Sequence, residues 1–344
     1  MYMLSSPTIR TKPESYLVKE VDMEQIHFLG EEDFLPVMAT ENKAWREACV
    51  TSGYFKTYDG KNMHYYIAKP EHPKAAITIV HGFCEFWGKY HEMAWYYYQA
   101  GYAVYFLEQR GHGYSEGKLP EVDVVHIDSY DVYVEDFKSF LDQIVLPDTE
   151  GLKKVLFAHS MGGAVSALFL EKYHQYFDSA ILSSPMWKMK AGEYSKSVVL
   201  CIRLLSKIAG KYRKIAPGQK RFDRIRVFET SSTLSKPRYD YLFDLRLEDE
   251  HYQTYGASLG WALASMDATR KLRKHADRMQ GKIYLMTAGQ DHLVDPAGYD
   301  EVLQRNPRII RRDYETSRHE IFNATVDTRL RYYQDVLQSL EDLT

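Results

Sequence analysis

Short apolar runs alternate with segments of helical periodicity along most of this 344-residue chain. Eight runs rich in β-branched and aromatic residues predict strands, at residues 51–57, 63–68, 75–80, 103–107, 155–158, 180–183, 283–287 and 308–313. Asp59-Gly60, between the first two runs, is typical of a hairpin turn. Apolar residues at helical spacing predict helices at residues 90–100, 130–145, 162–173, 296–304 and 323–340. This alternation predicts a mostly parallel, eight-stranded sheet with helices on both faces.

Two regions depart from the alternation. Residues 1–48 carry an acidic cluster at positions 31–33 and little periodicity, and we predict an N-terminal arm there. Residues 187–255 follow a strand without leading promptly to another, and we interpret them as an inserted helical cap. Residues 49–186 and 256–344 would then form the α/β core.

A serine lies between a predicted strand and a predicted helix in residues 154–170. In this strand–turn–helix context α/β hydrolases hold their nucleophile. The turn requires small residues two positions before and after the serine, and Ala158 and Gly162 satisfy that requirement. The start of a helix also favours the negative charge that develops during attack. Ser160 is therefore the predicted nucleophile of an α/β-hydrolase fold, although a small residue closing a tight turn is the structural alternative.

The literal G-x-S-x-G string lies elsewhere, at residues 113–117, with Ser115 at its centre. Ser115 follows its strand by several residues in a glycine-rich loop, and Pro120 comes soon after. No helix is predicted to start there. The context therefore favours Ser160 over Ser115.

A serine hydroxyl needs a base to take its proton, and the base needs an acid to orient it. In α/β hydrolases the acid and then the histidine follow the serine along the chain. Asp291 and His319 each follow one of the last two predicted strands, so both should lie at the sheet edge that carries Ser160. Asp295 is the alternative acid, although its place before Pro296 also suits a helix N-cap.

The oxyanion of such a reaction needs two backbone N–H donors. Met161 follows the serine directly and is one candidate. Phe83, in the loop after the third strand, is the other, because Gly82 lets that backbone bend toward the site. His81 and Cys84 in the same loop could form a Cys/His pair, but we favour a bracing role for His81 and no catalytic role for Cys84.

Five segments together resemble the monoacylglycerol lipase and lysophospholipase L2 branch of the α/β hydrolases. They are residues 81–85, 108–117, 158–163, 291–295 and 317–320. Glu108 stands where that branch usually has Asp, and Ala158 stands where Gly is commoner. The resemblance runs from about residue 51 to the C-terminus. It implies a triad of Ser160, Asp291 and His319, Phe83 and Met161 as oxyanion donors, and no metal or cofactor.

The resemblance also implies the reaction, which is hydrolysis of a single acyl ester (EC 3.1.1) of a lysophospholipid or a monoacylglycerol through an acyl-enzyme. Acyl transfer to another alcohol and general short-chain esterase activity are alternatives on the same triad. A prolyl-type peptidase would need a cap feature for a free amino terminus, and a strongly basic cap disfavours that. A non-catalytic scaffold would be expected to lack a triad residue.

Composition limits the partners of the chain. A net charge of −3 argues against nucleic-acid binding. The sequence has no apolar run of ~18 residues and no signal-peptide pattern at its start, so we expect a cytoplasmic protein unless it docks on a membrane surface. Cys49, Cys84 and Cys201 match neither a zinc pattern nor a disulfide framework, and free thiols are expected.

The predicted cap contains a basic stretch. Between Lys196 and Arg226 ten basic residues accompany one acid, Asp223, and the apolar residues between positions 198 and 208 are typical of an amphipathic helix. This pattern predicts contact with an anionic membrane. The alternative is a solvated cap whose apolar face packs on an acyl tunnel, and residues near Leu200 and Leu204 are the predicted contacts of the acyl chain.

Overall fold

The structure is a computed structural model that describes residues 26–342. In chain order the strands are β1 (Val50–Lys56), β2 (Asn62–Ala68), β3 (Ala76–Val80), β4 (Ala103–Leu107), β5 (Val124–Val125), β6 (Lys154–His159), β7 (Ser179–Ser183), β8 (Gly256–Ala257), β9 (Lys282–Ala288) and β10 (Ile310–Tyr314). The α-helices are α1 (Phe34–Ala39), α2 (Glu41–Cys49), α3 (His91–Gln99), α4 (Tyr130–Phe140), α5 (Leu146–Asp148), α6 (Met161–Lys172), α7 (Lys196–Ile208), α8 (Lys236–Glu248), α9 (Leu259–Lys274), α10 (Ala297–Arg305) and α11 (Val326–Glu341).

Eight strands form one sheet in the order β1-β2-β4-β3-β6-β7-β9-β10. β2 is antiparallel to both β1 and β4, and the remaining neighbours are parallel. The predicted eight-stranded, mostly parallel sheet is thereby confirmed. β5 and β8 form a separate parallel pair of two residues each, which was not predicted because two residues are too few to show a period.

The central strands are buried on both faces of the sheet. β3, β4 and β7 are buried along their whole length. Alternate side chains belong to two apolar clusters, for example Val80 to one and Ile79 to the other. Helices α4, α6 and α9 contribute to the first cluster, and α3 and α11 to the second. Continuous apolar runs are therefore the expected pattern for these strands.

The predicted N-terminal arm is described from residue 26, and residues 1–25 lie outside the described part of the chain. Residues 26–48 contain α1 and most of α2, and Phe34, Met38 and Trp45 are buried in the cluster that holds α3 and α11. This part of the chain packs on the core. Its helices have six and nine residues, which is too short for a clear helical period in the sequence.

The segment predicted as the cap, residues 187–255, leaves the sheet after β7 and contains α7 and α8. α7 packs on α9, where Val199 is buried with Leu263 and Met266. α8 packs on α1 and on the turn Trp87–Tyr90, which follows β3. The two helices therefore attach to different parts of the core.

Candidate active site

Ser160 lies in a sharp turn between β6 and α6. Its φ of 51° is in the left-handed half of backbone space, which costs a non-glycine residue about 1–3 kcal/mol and persists only where the surroundings enforce it. The packing here is close enough to enforce it. A Cβ on Gly162 would lie 2.1 Å from the Val80 carbonyl oxygen, and one on Gly163 would lie 2.4 Å from the Cβ of Pro185. The turn therefore requires glycine at both positions.

Four backbone hydrogen bonds hold Ser160 in this conformation. Its N–H donates to the Ser183 carbonyl (3.1 Å), and its own carbonyl accepts from the N–H groups of Met186 (2.8 Å), Gly163 (2.9 Å) and Ala164 (3.3 Å). The serine consequently stands at the start of α6, where the first N–H groups have no partner within the helix and favour negative charge.

His319 and Asp291 form a buried pair at the carboxyl ends of β10 and β9. His319 Nδ1 is 2.6 Å from Asp291 Oδ2. The other carboxylate oxygen accepts the N–H groups of Leu293 (2.8 Å) and Val294 (3.0 Å). Burial alone would raise the pKa of Asp291, but the charge of His319 and these hydrogen bonds outweigh burial and hold the pKa below its usual value. Asp291 is therefore ionised at neutral pH.

The protonation of His319 follows from this pairing. Since an ionised carboxylate only accepts hydrogen bonds, the proton of the neutral ring lies on Nδ1 and the lone pair on Nε2. Nε2 is buried, and no atom of residues 26–342 forms a hydrogen bond with it. The ring of His159, which directly precedes Ser160, lies 4.9 Å from the His319 ring. A basic nitrogen without a protein partner thus lies close to the nucleophile turn.

The loop that follows β3, residues 81–86, is called the β3 loop here. Among the described residues, the N–H groups of Phe83 and Met161 donate to no other residue. His81 sets the direction of the Phe83 amide. Gln109 donates its N–H to His81 Nε2 (2.9 Å), so the ring proton lies on Nδ1, which donates to the Gly82 carbonyl (2.7 Å). The Phe83 N–H belongs to the same planar peptide and points away from that carbonyl.

Cys84 takes the next position in the β3 loop, with a φ of 57°. Its N–H donates to His112 Nε2 (3.1 Å), and its carbonyl accepts from Arg246 of α8 (2.5 Å). Burial raises the pKa of the Cys84 thiol well above its usual value, so the sulfur stays protonated. The backbone of Cys84 helps to hold the loop, while its thiol is inert.

A buried cluster of charges supports the same loop. Glu85 accepts hydrogen bonds from the N–H of Gly82 (2.5 Å) and from the ammonium of Lys89 (2.6 Å). Burial would raise the pKa of Glu85, but Lys89 and the hydrogen bonds hold it well below its usual value. Lys89 also lies 2.7 Å from Glu320, the residue after the histidine of the pair. The cluster therefore ties the β3 loop to the loop after β10.

Ser115 and Asp295, the alternative nucleophile and acid, have other partners. Ser115 donates to the Glu108 carbonyl (2.5 Å) and accepts the N–H of His64 (2.9 Å), so its hydroxyl supports a buried loop. Asp295 accepts the N–H of Ala297 (3.0 Å), the first residue of α10, although Pro296 and not Asp295 is the N-cap residue of this helix. In the described structure neither side chain hydrogen-bonds to the buried histidine.

α7 turns most of its apolar side chains away from the protein. Val199 is buried against α9, but the outer side chains are between 42% and 84% exposed: Val198, Leu200, Leu204, Leu205 and Ile208. Leu200 and Leu204, the predicted contacts of the acyl chain, are thus about half exposed to solvent. Among the helices of residues 26–342, none has the length and apolarity that a bilayer crossing requires.

Acids from outside the basic stretch neutralise part of its charge. Four of the ten basic side chains are paired: Arg203 with Asp267, Lys214 with Glu121, Arg221 with Asp123, and Arg226 with Asp240 and Asp244. The other six have no carboxylate within 4 Å in the described part of the chain. The stretch is therefore less positive than its own sequence suggests.

No three His, Cys, Asp or Glu side chains of residues 26–342 are grouped so that they could hold a metal ion.

Three residues that shape the site were not predicted from the sequence. Arg246 reaches Cys84 across 162 residues of chain, and such a distance leaves no local signal. Lys89 lies just before the predicted helix 90–100, and the residues that it pairs with, Glu85 and Glu320, are brought to it by the fold. His159 was visible as the residue before the nucleophile, and burial lowers its pKa to about 4, so it is a neutral ring that packs on the catalytic histidine candidate.

Comparisons with known proteins agree with this geometry. The family model described as serine aminopeptidase, S33, matches residues 71–325. The chain is 22% identical to a probable lysophospholipase L2 of Haemophilus influenzae, over 72% of this chain and 79% of that protein. It is 30% identical to monoglyceride lipase of Homo sapiens, over 66% and 68%. A solved monoglyceride lipase of Saccharomyces cerevisiae with a substrate analog has a TM-score of 0.68 and 18% identity, over 86% of this chain and 96% of that one. The predicted resemblance and the α/β-hydrolase fold are confirmed.

Proposed function

We propose that this chain, which belongs to the serine aminopeptidase S33 family, releases the fatty acid of a lipid monoester through an acyl-enzyme on Ser160. The chain is an ester hydrolase like its relatives. The observation that carries the proposal is the buried pair of His319 and Asp291, whose free Nε2 lies beside the strained Ser160 turn. Such a group combines a nucleophile, a base of defined tautomer and an acid that orients it.

The mechanism follows from these positions. Ser160 Oγ attacks the ester carbonyl carbon while His319 Nε2 takes the hydroxyl proton. The N–H groups of Phe83 and Met161 stabilise the oxyanion, and loss of one such donor typically slows the reaction ~100- to 1000-fold. His319 then gives its proton to the leaving alcohol, and the C–O bond breaks. Water that His319 deprotonates then attacks the acyl ester. His319 returns this proton to Ser160 Oγ as the bond between that oxygen and the acyl carbon breaks and the fatty acid leaves. Asp291 stays ionised throughout.

The substrate class that we infer is a lysophospholipid or a monoacylglycerol. The named relatives are a lysophospholipase L2 and monoglyceride lipases. We infer that residues 187–255 serve as the cap of this site. Each of these substrates carries one acyl chain and partitions into membranes, so an enzyme that takes it from a bilayer has to approach a lipid surface.

We infer that α7 makes this approach by docking on an anionic bilayer. Its outer surface is apolar, and Leu205 and Ile208 are 60% and 84% exposed. Burying a fully exposed Leu or Ile side chain contributes about 1.5–3 kcal/mol, and each basic residue near an anionic surface adds about 1 kcal/mol. Lys211 and Lys220 are among the basic residues with no carboxylate within 4 Å in the described structure. A few such contacts suffice for reversible binding.

Fatty-acid release from lysophosphatidylcholine and from a monoacylglycerol tests the proposed reaction. We expect the parent protein to cleave at least one of them and Ser160→Ala to cleave neither. Ser115→Ala is the matched control, because it removes the hydroxyl of the literal motif, and it should retain activity. Activity that survives in Ser160→Ala would refute the assignment of the nucleophile. Cleavage of a short nitrophenyl ester alone would refute the lipid substrate and leave the triad intact.

Sedimentation with phosphatidylglycerol vesicles tests the docking of α7. The parent protein should sediment with the vesicles at low salt and less at high salt. Leu205→Gln with Ile208→Gln should reduce the bound fraction and leave hydrolysis of a short soluble ester unchanged. Ile310→Gln changes an exposed isoleucine on β10, and as the control it should bind like the parent. Equal binding of the double variant and the parent would disprove docking through α7.

A further inference from the structure

Arg238, near the start of α8, is one of the most buried charged side chains of the described structure, with 2% of the side chain exposed. It donates to both carboxylate oxygens of Glu92 (2.8 and 2.5 Å) on α3. It also donates to the carbonyls of Leu29 (3.0 Å) and Gly30 (3.2 Å) and to the Glu31 carboxylate (3.1 Å). The arginine thus joins α8 to a segment that precedes the family match, which begins at residue 71.

Glu31, in that segment, accepts hydrogen bonds from two further parts of the chain. Its carboxylate accepts the hydroxyl of Ser235, the residue before α8, at 2.8 and 3.0 Å. It also accepts from Arg329 of α11 (2.9 Å), and Arg329 donates in turn to the Leu29 carbonyl (3.1 Å). Residues 29–31 are therefore held between two buried guanidinium groups. We call this arrangement the N-terminal clamp.

The other end of α8 lies against the active site. Arg246 donates to the Cys84 carbonyl of the β3 loop (2.5 Å) and to the Thr254 carbonyl (2.7 Å). A Cβ on Gly88 would lie 2.6 Å from the Cδ1 of Leu245, so the helix packs directly on the turn after the loop. Arg238 and Arg246 are eight residues apart, which is about 12 Å along a helix.

The residues before α8 contact the other catalytic loop. The N–H of Glu320, next to His319 in the chain, donates to the Ser232 carbonyl (3.1 Å). The Asn323 carbonyl accepts the N–H groups of Leu234 (2.9 Å) and Ser235 (3.1 Å). Residues 232–246 therefore run from the histidine loop to the β3 loop, with the clamp at the point where the helix begins.

We propose that Glu31 is a positioning residue, and that the N-terminal clamp sets the place of α8 and, through Arg246, the orientation of the Phe83 amide. The inference rests on the proposed function, because it takes Phe83 as an oxyanion donor. A helix is stiff over two turns, so a shift at Arg238 is transmitted to Arg246. The Cys84 carbonyl then loses its donor, and the loop that carries Phe83 is held less precisely.

A double-mutant cycle on kcat for a short nitrophenyl ester tests this coupling in the full-length protein. A short ester is used because it makes no demand on lipid binding. We expect Glu31→Gln to lower kcat about tenfold and to change KM less than twofold, since the loop acts on the transition state. Arg246→Met should lower kcat at least as much. The double variant should equal Arg246→Met alone, because both changes remove the same interaction.

Asp59→Asn is the matched control. Asp59 is a carboxylate of nearly equal exposure (36%, against 35% for Glu31) that accepts hydrogen bonds from Nη1 and Nη2 of a buried arginine, Arg110. Asp59→Asn should lower the melting temperature about as much as Glu31→Gln does and leave kcat unchanged. If Arg246→Met does not fold, Arg246→Lys removes the fork of donors and keeps the charge.

Two results would overturn the inference. One is a Glu31→Gln variant that loses stability like Asp59→Asn but retains the parent kcat. The other is a double variant whose loss of kcat equals the product of the two single losses, because the two residues would then act independently. A parent activity that survives Ser160→Ala would instead disprove the proposed function, and the same assay detects it.

Discussion

Asp291→Asn separates the proposed acid from its alternative, because the surroundings dictate how the new amide must lie. In the parent, one carboxylate oxygen accepts the Nδ1–H of His319 and the other accepts the N–H groups of Leu293 and Val294. An asparagine has only one oxygen. If its NH2 group faced the two backbone donors, both would lose their acceptor, at about 1–3 kcal/mol each. The oxygen therefore stays with the backbone, and the NH2 group faces His319.

The size of the effect follows from the tautomer that this forces. A donor opposite Nδ1 moves the imidazole proton to Nε2, so the atom that must accept the serine proton has no lone pair. The same loss in a serine protease triad lowers kcat roughly 10,000-fold. That is about 5.5 kcal/mol on the barrier at 1.36 kcal/mol for each factor of ten. KM should change little, because the acid does not touch the acyl group.

Steady-state kinetics with a short nitrophenyl ester measure both parameters. Asp295→Asn is the control, since this side chain accepts the N–H of Ala297 at the start of α10. It should retain kcat within about twofold of the parent at equal melting temperature. Circular dichroism of the Asp291→Asn variant should match the parent, because the change preserves volume. The reasoning is wrong if Asp295→Asn abolishes activity, or if Asp291→Asn retains more than about a tenth of it.

Three further changes test other parts of the structure. Gly162→Ala places a Cβ 2.1 Å from the Val80 carbonyl oxygen. It should lower the free energy of unfolding, measured in urea, by about 3 kcal/mol. An unchanged midpoint of the urea transition would contradict the close packing of the Ser160 turn. His81→Phe removes the donor that fixes the Gly82 carbonyl, and kcat should fall about 100-fold with KM preserved. Equal kcat would refute the role of His81 in orienting the Phe83 amide. Burial raises the pKa of Glu171 to about 8. The stability that the protonated Glu171 provides is therefore complete below about pH 4.5 and is lost as the pH rises through 8. Glu171→Gln should raise the melting temperature at pH 9 and not at pH 5, and an equal rise at both pH values would refute this reasoning.

The strands and the triad candidates were predictable because their signals are local. Each central strand is a buried apolar run, and Ser160 lies where such a run meets a helix. Asp291 and His319 follow strands whose ends meet at one edge of the sheet, so their order along the chain was sufficient. The packing of Trp45 and its neighbours was not predictable, because α1 and α2 are short and acquire their stability from the core that they cover.

The parts that the sequence could not reveal depend on distant pairs. The direction of the Phe83 amide depends on the tautomer of His81, which in turn depends on a backbone N–H of Gln109. The partial neutralisation of the basic stretch could not be predicted, because the partners of Arg203 and Arg221 lie outside it, at Asp267 and Asp123. Such contacts form only when the chain has folded.

The outward surface of α7 bears on how an enzyme of this kind diversifies. Leu204 and Ile208 make few contacts inside the protein, so replacing them costs little folding free energy. The residues that hold the β3 loop are buried and mutually dependent, and almost any replacement there is penalised. Mutation and selection can therefore change the outward surface of α7 with little effect on the buried residues that surround Ser160. A protein engineer who wants to alter the proposed lipid interface should begin with the same helix.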